Sequence, residues 1–351
     1  MSRLTIDTSR PYDIIVGAGI LEDVGKAIKS SFSYDTIAII TDDIVAELYG
    51  NTVKHSLETE GITVHTFVFP NGEASKNINT LNDIWEFLAA KELTRSDALL
   101  ALGGGVPGDI AGFAAATYLR GIDYIQVPTT FLAAVDSAVG GKTAVNLKAG
   151  KNLAGSFYQP SLVYCDHQTM TTMEKERFND GTAEALKYGI LKNEALFELL
   201  SQGDAWPHME KIITTCLTIK GELVKEDEFD TGRRQLLNLG HTIGHAIEKE
   251  SSFSITHGHA VAIGIALISQ IAEDRALCPQ GTTQRIKKAL ENNSLPTESP
   301  YSMTALTEAM KRDKKRKGDT ITFIMPEKIG QCCLYPVTTG ELPEFLNSIG
   351  G

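Results

Sequence analysis

Short apolar runs and longer amphipathic runs alternate along the first half of the chain, and this alternation constrains the fold more than any other feature. The apolar runs at residues 36–42, 63–69 and 97–105 have the length and β-branched content of strands. Amphipathic runs at 44–60 and from 73 to 91 lie between them. Strand–helix–strand units of this length predict a mostly parallel sheet covered by helices.

The pattern changes near residue 160. Before it, LTIDT and YDIIVG also predict an opening hairpin. After it, long helical segments dominate, and strand character returns only at 321–325 and 331–335. A chain of 351 residues exceeds what one hydrophobic core usually serves. The sequence therefore predicts an α/β domain with a variant Rossmann sheet, residues 1–160, and a mostly α-helical domain, residues 161–351.

The composition disfavours several classes of protein. A formal net charge of −11 opposes binding to nucleic acid or to an anionic membrane surface. Five cysteines without CxxC spacing disfavour a disulfide framework and a cysteine zinc site. The first residues lack the apolar core of a signal peptide, and no apolar run reaches the roughly 18 residues of a membrane span. We therefore expect a cytoplasmic protein that binds neither nucleic acid nor membrane.

A glycine-rich turn, GGGVPGD, follows the strand at 97–105 and opens a helix. Backbone N–H groups at such a turn approach a pyrophosphate closely, and the helix N-terminus favours its charge. The signal is moderate, because some glycine-rich turns of this kind serve only tight packing of the helix on the sheet. Roughly a hundred residues precede the turn, so it is not the usual dinucleotide fingerprint, and a variant nucleotide-binding fold is the better prediction.

The segment from Gln126 to Gln159 holds the densest group of polar and glycine residues. It contains GGKT and GKN turns and brings Asp136, Lys142, Lys151 and Asn152 close together in sequence. GGKT is similar to the end of a P-loop, but the preceding glycine of that motif is absent. ATP binding is therefore not predicted.

Four of the eight histidines lie between Asn238 and Ala260. His241 and His245 are four residues apart, so a helix places them on one face, where both can reach one metal ion. His257 and His259 follow a polar loop and offer a ligand from another element. The cluster favours a metal site, but the spacing leaves open which histidines bind.

Several motifs resemble, in order and spacing over nearly the whole chain, the 3-dehydroquinate synthase family. They are GGGVPGD, YLRGIDYIQVPTT, VDSAVGGKTAVNLKAGKNLAGSFYQP, AEALKYG and NLGHTIGHAIE. The resemblance implies an α/β domain related to glycerol dehydrogenases, a helical second domain, and a cleft that holds NAD, a divalent metal (zinc or cobalt) and substrate. It also implies a homodimer.

The resemblance implies a metal triad of Glu184, His241 and His257, with His245 on the substrate side near the phosphate. A triad with open positions is typical of a catalytic metal site. The implied substrate-side and catalytic residues are Lys142, His245, Lys187, Lys220, Arg234, Asn238, Asp136, Asn152, Arg120 and Lys314. The expected NAD contacts are Asp42, Asn71, Gly72, Glu73, Ala74, Ser75, Lys76, Gly104, Gly105, Val106, Pro107, Gly108, Asp109, Thr129, Thr130, Lys142, Lys151, Thr169, Met170, Thr171 and Thr172.

The implied reaction converts 3-deoxy-D-arabino-heptulosonate 7-phosphate, an anionic seven-carbon sugar phosphate, to 3-dehydroquinate and phosphate. NAD-mediated transient oxidation, phosphate elimination, re-reduction and an intramolecular aldol step make up the reaction. Alternatives are another sugar-phosphate cyclase of the 2-deoxy-scyllo-inosose or valiolone type, a metal-dependent polyol dehydrogenase, or a catalytically silent nucleotide-binding protein.

The chain departs from the family pattern at five positions. Four are small changes that we expect to shift packing only: Pro107, Ala138, Ala144 and Thr182. The fifth, His259, stands where a glutamate is usual, and it removes a carboxylate beside the implied ligand His257.

Overall fold

The computed structural model describes residues 1–314 and 319–347, and only the backbone of residues 312–314 and 347. Contacts divide the chain into two compact units. The first unit comprises Met1–Met173 and Lys220–Phe229, and the second comprises Glu174–Ile219 and Asp230–Gly351. The sequence places this division at residue 160, before a strand that the first unit includes in its sheet.

The first unit contains nine strands and five α-helices among its described residues. The strands are β1 (Ser2–Ile6), β2 (Tyr12–Gly17), β3 (Thr36–Asp42), β4 (Thr63–Phe69), β5 (Ala98–Gly103), β6 (Asp123–Pro128), β7 (Lys142–Leu147), β8 (Gly150–Phe157) and β9 (Leu162–Asp166). The helices are α1 (Val24–Ser31), α2 (Asp43–Val45), α3 (Asn51–Thr59), α4 (Ile78–Ala90) and α5 (Gly105–Thr117).

Seven strands form one sheet in the order β1-β2-β9-β6-β5-β3-β4. β1 pairs with β2 in an antiparallel hairpin, and every other pairing in this sheet is parallel. The predicted hairpin and mostly parallel sheet are therefore confirmed. β9 lies between β2 and β6, which is why the first unit extends past residue 160.

Two layers of helices cover the sheet because its strands are apolar on both faces. In β3, Ile37 and Ile39 belong to the hydrophobic cluster that includes residues of α1 and α3. The alternate residues Ala38 and Ile40 belong to the cluster that includes residues of α4 and α5. Successive side chains of a strand point to opposite faces of the sheet, so a strand buried on both sides contributes alternate residues to the two clusters.

A second, two-stranded sheet is made by β7 and β8, an antiparallel pair. This hairpin covers residues 142–157 and was not predicted, because the glycine turns of the segment suggested loops. It carries Lys142 at its start, and Lys151 and Asn152 on its second strand.

The second unit is mostly helical, as predicted. Its helices are α6 (Lys175–Lys192), α7 (Glu194–Leu200), α8 (Met209–Glu226), α9 (His241–Glu250), α10 (His257–Asp274), α11 (Thr282–Asn292), α12 (Met303–Lys314) and α13 (Leu342–Asn347). The C-terminal end of α8, from Lys220, is grouped with the first unit. The predicted strands at 321–325 and 331–335 lie within the hairpin of β10 (Thr320–Lys328) and β11 (Gln331–Thr338).

Helices α6, α9 and α10 pack together, and α10 contacts both of the others. α10 is buried along most of its length, from Gly258 to Ala272. Within residues 1–314 and 319–347, no helix is both long and apolar enough to cross a membrane.

Candidate active site

Most residues predicted to contact NAD follow the carboxyl ends of parallel strands in the first unit, whereas Lys142 and Lys151 lie on the β7–β8 hairpin. Asp42 ends β3, residues 71–76 follow β4, and 104–109 follow β5. Residues 129–130 follow β6, and 169–172 follow β9. Because parallel strands end at one edge of a sheet, the fold brings all five groups to that edge. The strand order also reverses between β3 and β5, the position where open α/β sheets bind ligands.

Asp42 lies beside this reversal and is buried, with 3% of its surface exposed. Its Oδ1 accepts a hydrogen bond from the N–H of Val45 at 3.0 Å, so it caps the short helix α2. The structure thus gives this carboxylate a structural contact, and its predicted contact with the adenosine ribose stays a prediction.

Glycines at the start of α5 bring the backbone close to neighbouring side chains. Gly103 has φ of 148°, and a Cβ there would lie 2.6 Å from Cγ of Pro107. A Cβ on Gly104 would lie 3.0 Å from Cγ2 of Thr130. The first N–H groups of a helix have no acceptor within it, so this turn presents donors at the sheet edge. The glycines therefore fit both alternatives, close packing and an anion-binding turn.

A hydrogen-bonded network joins the loop after β4 to α5 and to the β7–β8 hairpin. The ammonium of Lys76, which is 5% exposed, pairs with Asp109 and donates to Oδ1 of Asn152 at 2.7 Å. The N–H of Asn152 donates to Asn146, whose amide donates to Glu73 at 2.7 Å. Burial raises the pKa of the Asp109 carboxyl, and the Lys76 ammonium opposes that shift.

Lys220 and Asp136 form a second ion pair of the first unit. The Lys220 ammonium contacts the carboxylate of Asp136 and donates to its backbone carbonyl at 2.7 Å. Lys142 is exposed at the start of β7, and Lys151 is half-buried. Arg120 is exposed in the turn after α5, with φ of 67°.

The second unit brings together Glu184 of α6, His241 at the start of α9 and His257 at the start of α10. Nε2 of each histidine lies 3.4 Å from Oε1 of Glu184. One ligand atom from each residue lies within 4.8 Å of the others. Ligand atoms about 2.1 Å from a tetrahedral zinc ion lie about 3.4 Å apart, so this set fits a divalent metal.

The carboxylate of Glu184 is fully buried, yet none of the described residues makes an aligned hydrogen bond with either of its oxygens. Lys187 on the next turn places Nζ 2.5 Å from Oε2 as an ion pair, and Lys187 is itself 1% exposed. A buried carboxylate without hydrogen bonds is costly and is stabilised by a cation. The donor set therefore suits Zn²⁺ or Co²⁺.

Electrostatics in this group favour an anionic carboxylate. Burial alone would raise the pKa of Glu184, but the Lys187 ammonium and then His241 hold it well below its usual range. Burial would lower the pKa of His257, whereas the neighbouring carboxylates of Glu184 and Glu248 raise it to about 10.

Glu248 of α9 was not predicted from the sequence, and it contacts the other face of His257. Its Oε2 lies 3.3 Å from Nδ1 of His257, and it is buried, with 6% exposure. Carboxylates in this position orient metal-binding imidazoles. Glu248 also forms a second possible metal group with His245 and His257, in which His245 is exposed.

The remaining predicted residues of the second unit lie near these helices in sequence. Arg234 is 1% exposed within a 3-10 helix, Arg233–Asn238, that leads into α9. Asn238 ends that helix and is half-buried. Lys314 ends α12, and its side chain lies outside the described residues.

Comparison with known proteins identifies the family. Residues 66–180 match the family model described as 3-dehydroquinate synthase N-terminal, and residues 181–316 match the model described as 3-dehydroquinate synthase C-terminal. A 3-dehydroquinate synthase of Enterococcus faecalis OG1RF is 44% identical over 346 residues, which cover 97% of each chain.

Solved structures of two sugar-phosphate cyclases are similar to the whole chain. A 2-deoxy-scyllo-inosose synthase complexed with carbaglucose-6-phosphate, NAD⁺ and Co²⁺ is 28% identical, with a TM-score of 0.89 over 99% of this chain and 100% of that one. A 2-epi-5-epi-valiolone synthase from Streptomyces hygroscopicus with NAD⁺ and Zn²⁺ bound is 26% identical, with a TM-score of 0.86 over 96% of each chain. With both family models matched and 44% identity to a relative over nearly its full length, the chain belongs to the 3-dehydroquinate synthase family.

Proposed function

We propose that this chain is an enzyme, a carbon–oxygen lyase that converts 3-deoxy-D-arabino-heptulosonate 7-phosphate to 3-dehydroquinate and phosphate. The observation that carries the proposal is the buried Glu184 carboxylate between two imidazoles, in a chain 44% identical to a 3-dehydroquinate synthase along its length. The proposed cofactors are NAD and a divalent metal, zinc or cobalt.

Glu184, His241 and His257 are the proposed metal ligands. When bound, the metal supplies a positive charge that polarises a hydroxyl oxygen of the substrate. Glu248 holds Nδ1 of His257, so that Nε2 faces Glu184. With three protein donors, a bound metal would also be able to bind oxygens of a polyol.

NAD is proposed to bind at the carboxyl edge of the first unit's sheet. When bound, NAD would supply reversible hydride transfer with the substrate. The N-terminus of α5 offers backbone N–H donors to the pyrophosphate. Lys76 holds Asp109 and Asn152 around this turn, which keeps the loop after β4 and the β7–β8 hairpin in fixed positions.

Basic side chains are proposed to bind the carboxylate and phosphate of the substrate. A net charge of −11 opposes an anionic substrate, so local cations have to offset it. In the first unit these are Lys142 and Lys220, and Asp136 holds the Lys220 ammonium in place. In the second unit they are Lys187 and Arg234, with the amide of Asn238.

His245 is proposed to move a proton near the phosphate with an imidazole nitrogen. It is exposed on α9, one turn after His241, and the two ring centroids lie 5.5 Å apart. An exposed imidazole near neutral pH both accepts and donates protons.

The proposed assembly is a cytoplasmic homodimer. Cys165, Cys216, Cys278, Cys332 and Cys333 are all free thiols in the structure, which fits a reducing compartment. Size-exclusion chromatography with light scattering measures the assembly directly, and a single species of one chain would contradict the dimer.

The function is tested by phosphate release from the seven-carbon heptulosonate phosphate, a sedoheptulose phosphate and glucose 6-phosphate. NADH absorbance is followed in the same reaction. We expect phosphate from the heptulosonate phosphate only, with catalytic NAD and no net NADH. Phosphate from glucose 6-phosphate instead would support the 2-deoxy-scyllo-inosose reaction of the structural neighbour. NADH formed in proportion to substrate would indicate a polyol dehydrogenase.

A further inference from the structure

Helix α10 begins at His257, and its first turn is capped from another helix. In the described part of the chain, the side chain of the N-cap residue Thr256 accepts no bond from the first N–H groups. The N–H of His259 instead donates to Oδ1 of Asp180, on α6, at 3.2 Å. The third N–H of a helix is the group that an N-cap side chain usually accepts, so Asp180 takes that role.

Two further contacts converge on the same oxygen of Asp180. The hydroxyl of Thr256 donates to Oδ1 at 2.6 Å, and Nδ1 of His259 lies 3.0 Å from it. Asp180 is 4% exposed. A buried carboxylate with hydrogen bonds at a helix N-terminus is stabilised by those bonds and by the helix dipole. Asp180 therefore fixes the start of α10 through three contacts with one carboxylate oxygen.

The backbones of the two helices touch at this point. A Cβ added to Gly258 would lie 2.3 Å from Cα of Asp180 and 2.5 Å from its carbonyl oxygen. No side chain fits between the helices there. The position of α10 along α6 is therefore set at Asp180, with little freedom to slide.

This contact lies within one helical turn of two of the three proposed metal ligands, Glu184 and His257. Glu184 follows Asp180 by four residues on α6, so the two share a face of that helix. His257 lies on the turn of α10 that Asp180 caps, and its Nε2 is 3.4 Å from Oε1 of Glu184. We propose that Asp180 is a positioning residue that sets the distance between Glu184 and His257 for a divalent metal. The inference rests on the metal centre proposed above.

The test measures Zn²⁺ affinity of the metal-free full chain, by competition with a chromophoric chelator, and the visible spectrum of the Co²⁺ form. Asp180→Ala removes all three contacts, and we expect the Zn²⁺ dissociation constant to rise about 10–100-fold. Asp180→Asn keeps an oxygen that accepts from the His259 N–H and the Thr256 hydroxyl. We expect it to restore affinity to within about fivefold of the parent and to restore the Co²⁺ spectrum.

A matched control lies at the other end of α10. Glu273 accepts from the N–H groups of Gly281 and Thr283 at 2.9 and 2.7 Å, so it caps α11 from a neighbouring helix. It lies 16 residues from His257, about 24 Å along the helix. Glu273→Ala is expected to lower the unfolding temperature and to leave Zn²⁺ affinity unchanged.

Equal Zn²⁺ affinity of Asp180→Ala and the parent would overturn the inference, as would an equal loss in Glu273→Ala. Should Asp180→Ala fail to fold, Thr256→Val removes the hydroxyl, which donates to Asp180 and also lies 2.8 Å from Nδ1 of His259. We then expect about threefold to tenfold weaker binding, and unchanged binding would overturn the inference. A parent chain that binds no Zn²⁺ would contradict the proposed metal centre itself, which separates the two failures.

Discussion

The two candidate binding regions differ in how they hold their buried charges. In the first unit, Asp109 and Asp136 each accept a hydrogen bond from a lysine, Lys76 and Lys220 respectively. In the second unit, Glu184 is more deeply buried. The Lys187 ammonium lies 2.5 Å from it as an ion pair, but none of the described residues makes an aligned hydrogen bond with its oxygens. The first region is a set of ion pairs completed by hydrogen bonds around a turn, whereas the second adds two imidazoles to an ion pair without aligned hydrogen bonds, a donor set that suits an added cation.

The difference follows from the chemistry each region has to perform. A carboxylate that accepts hydrogen bonds is stable without ligand, so the first region is organised before a cofactor binds. A buried carboxylate without such bonds is destabilising on its own, and a metal ion offsets that cost. Changes in the two regions are therefore expected to affect different quantities: metal binding in the second, and folding stability in the first.

The largest effect is expected for Glu184→Gln. The substitution keeps the size of the side chain but removes the anionic ligand at the centre of the group. Because the metal contributes several kcal/mol to catalysis, we expect phosphate release to fall at least about a thousandfold, with loss of Zn²⁺ from the purified chain. Metal content and phosphate release are measured on the same preparation.

Glu198→Gln is the matched control, since Glu198 is a half-exposed carboxylate of the same unit that pairs with Arg285. Glu198→Gln is expected to change neither the metal content nor phosphate release measurably. A Glu184→Gln variant that keeps Zn²⁺ and activity would contradict the proposed metal centre.

The second-largest effect distinguishes the two possible metal groups, Glu184 with His241 and His257, and Glu248 with His245 and His257. We expect His257→Ala to weaken Zn²⁺ binding more than about a hundredfold, because it removes a ligand. His245→Ala is expected to keep Zn²⁺ affinity within about threefold and to lower kcat about 10²-fold, as loss of an acid–base group does. Chelator competition and steady-state kinetics measure the two quantities. Loss of Zn²⁺ in His245→Ala would instead favour the group of His245, Glu248 and His257.

Much of the first unit is predictable from sequence because its signals are local. β3 and β4 occupy the predicted residues, since both are short runs rich in β-branched and aromatic residues. The β7–β8 hairpin escaped prediction because its glycines and lysines are also typical of phosphate-binding turns. Lys220 contacts Asp136 and belongs to the first unit. It nevertheless lies within the continuous helix α8, and no local sequence pattern indicates that the helix passes from the second unit to the first at this residue.

In the second unit, local sequence patterns likewise predicted only part of the proposed metal site of Glu184, His241 and His257. Helical spacing pairs His241 with His245, and only the family resemblance selected Glu184 and His257. Glu248 and Asp180 were not predicted, because a single acidic residue within a helix is usually a solvated charge. Their contacts with His257 and with the start of α10 depend on how three helices pack, which spacing along one helix does not reveal.

The third prediction tests the completed ion pairs of the first unit. Lys76→Met leaves the Asp109 carboxylate without its buried cation, so we expect the free energy of unfolding to fall by about 3 kcal/mol. The double change Lys76→Met with Asp109→Leu removes both charges and is expected to recover at least half of that loss. Urea denaturation of the three chains measures these values. Lys54→Met, in the exposed pair with Glu58, is the control and is expected to cost under about 0.5 kcal/mol.

The smallest effect is expected at His259, whose side chain lies beside Asp180. The His259 side chain contributes one of three contacts to Asp180, and its backbone N–H contributes another that no substitution except proline removes. His259→Ala is therefore expected to lower the free energy of unfolding by about 1 kcal/mol and to change Zn²⁺ affinity less than about threefold. His259→Gln, which keeps a side-chain donor, is expected to recover most of that stability. A loss of Zn²⁺ affinity as large as that of Asp180→Ala would mean that the imidazole, rather than the capped backbone, holds the start of α10 in place.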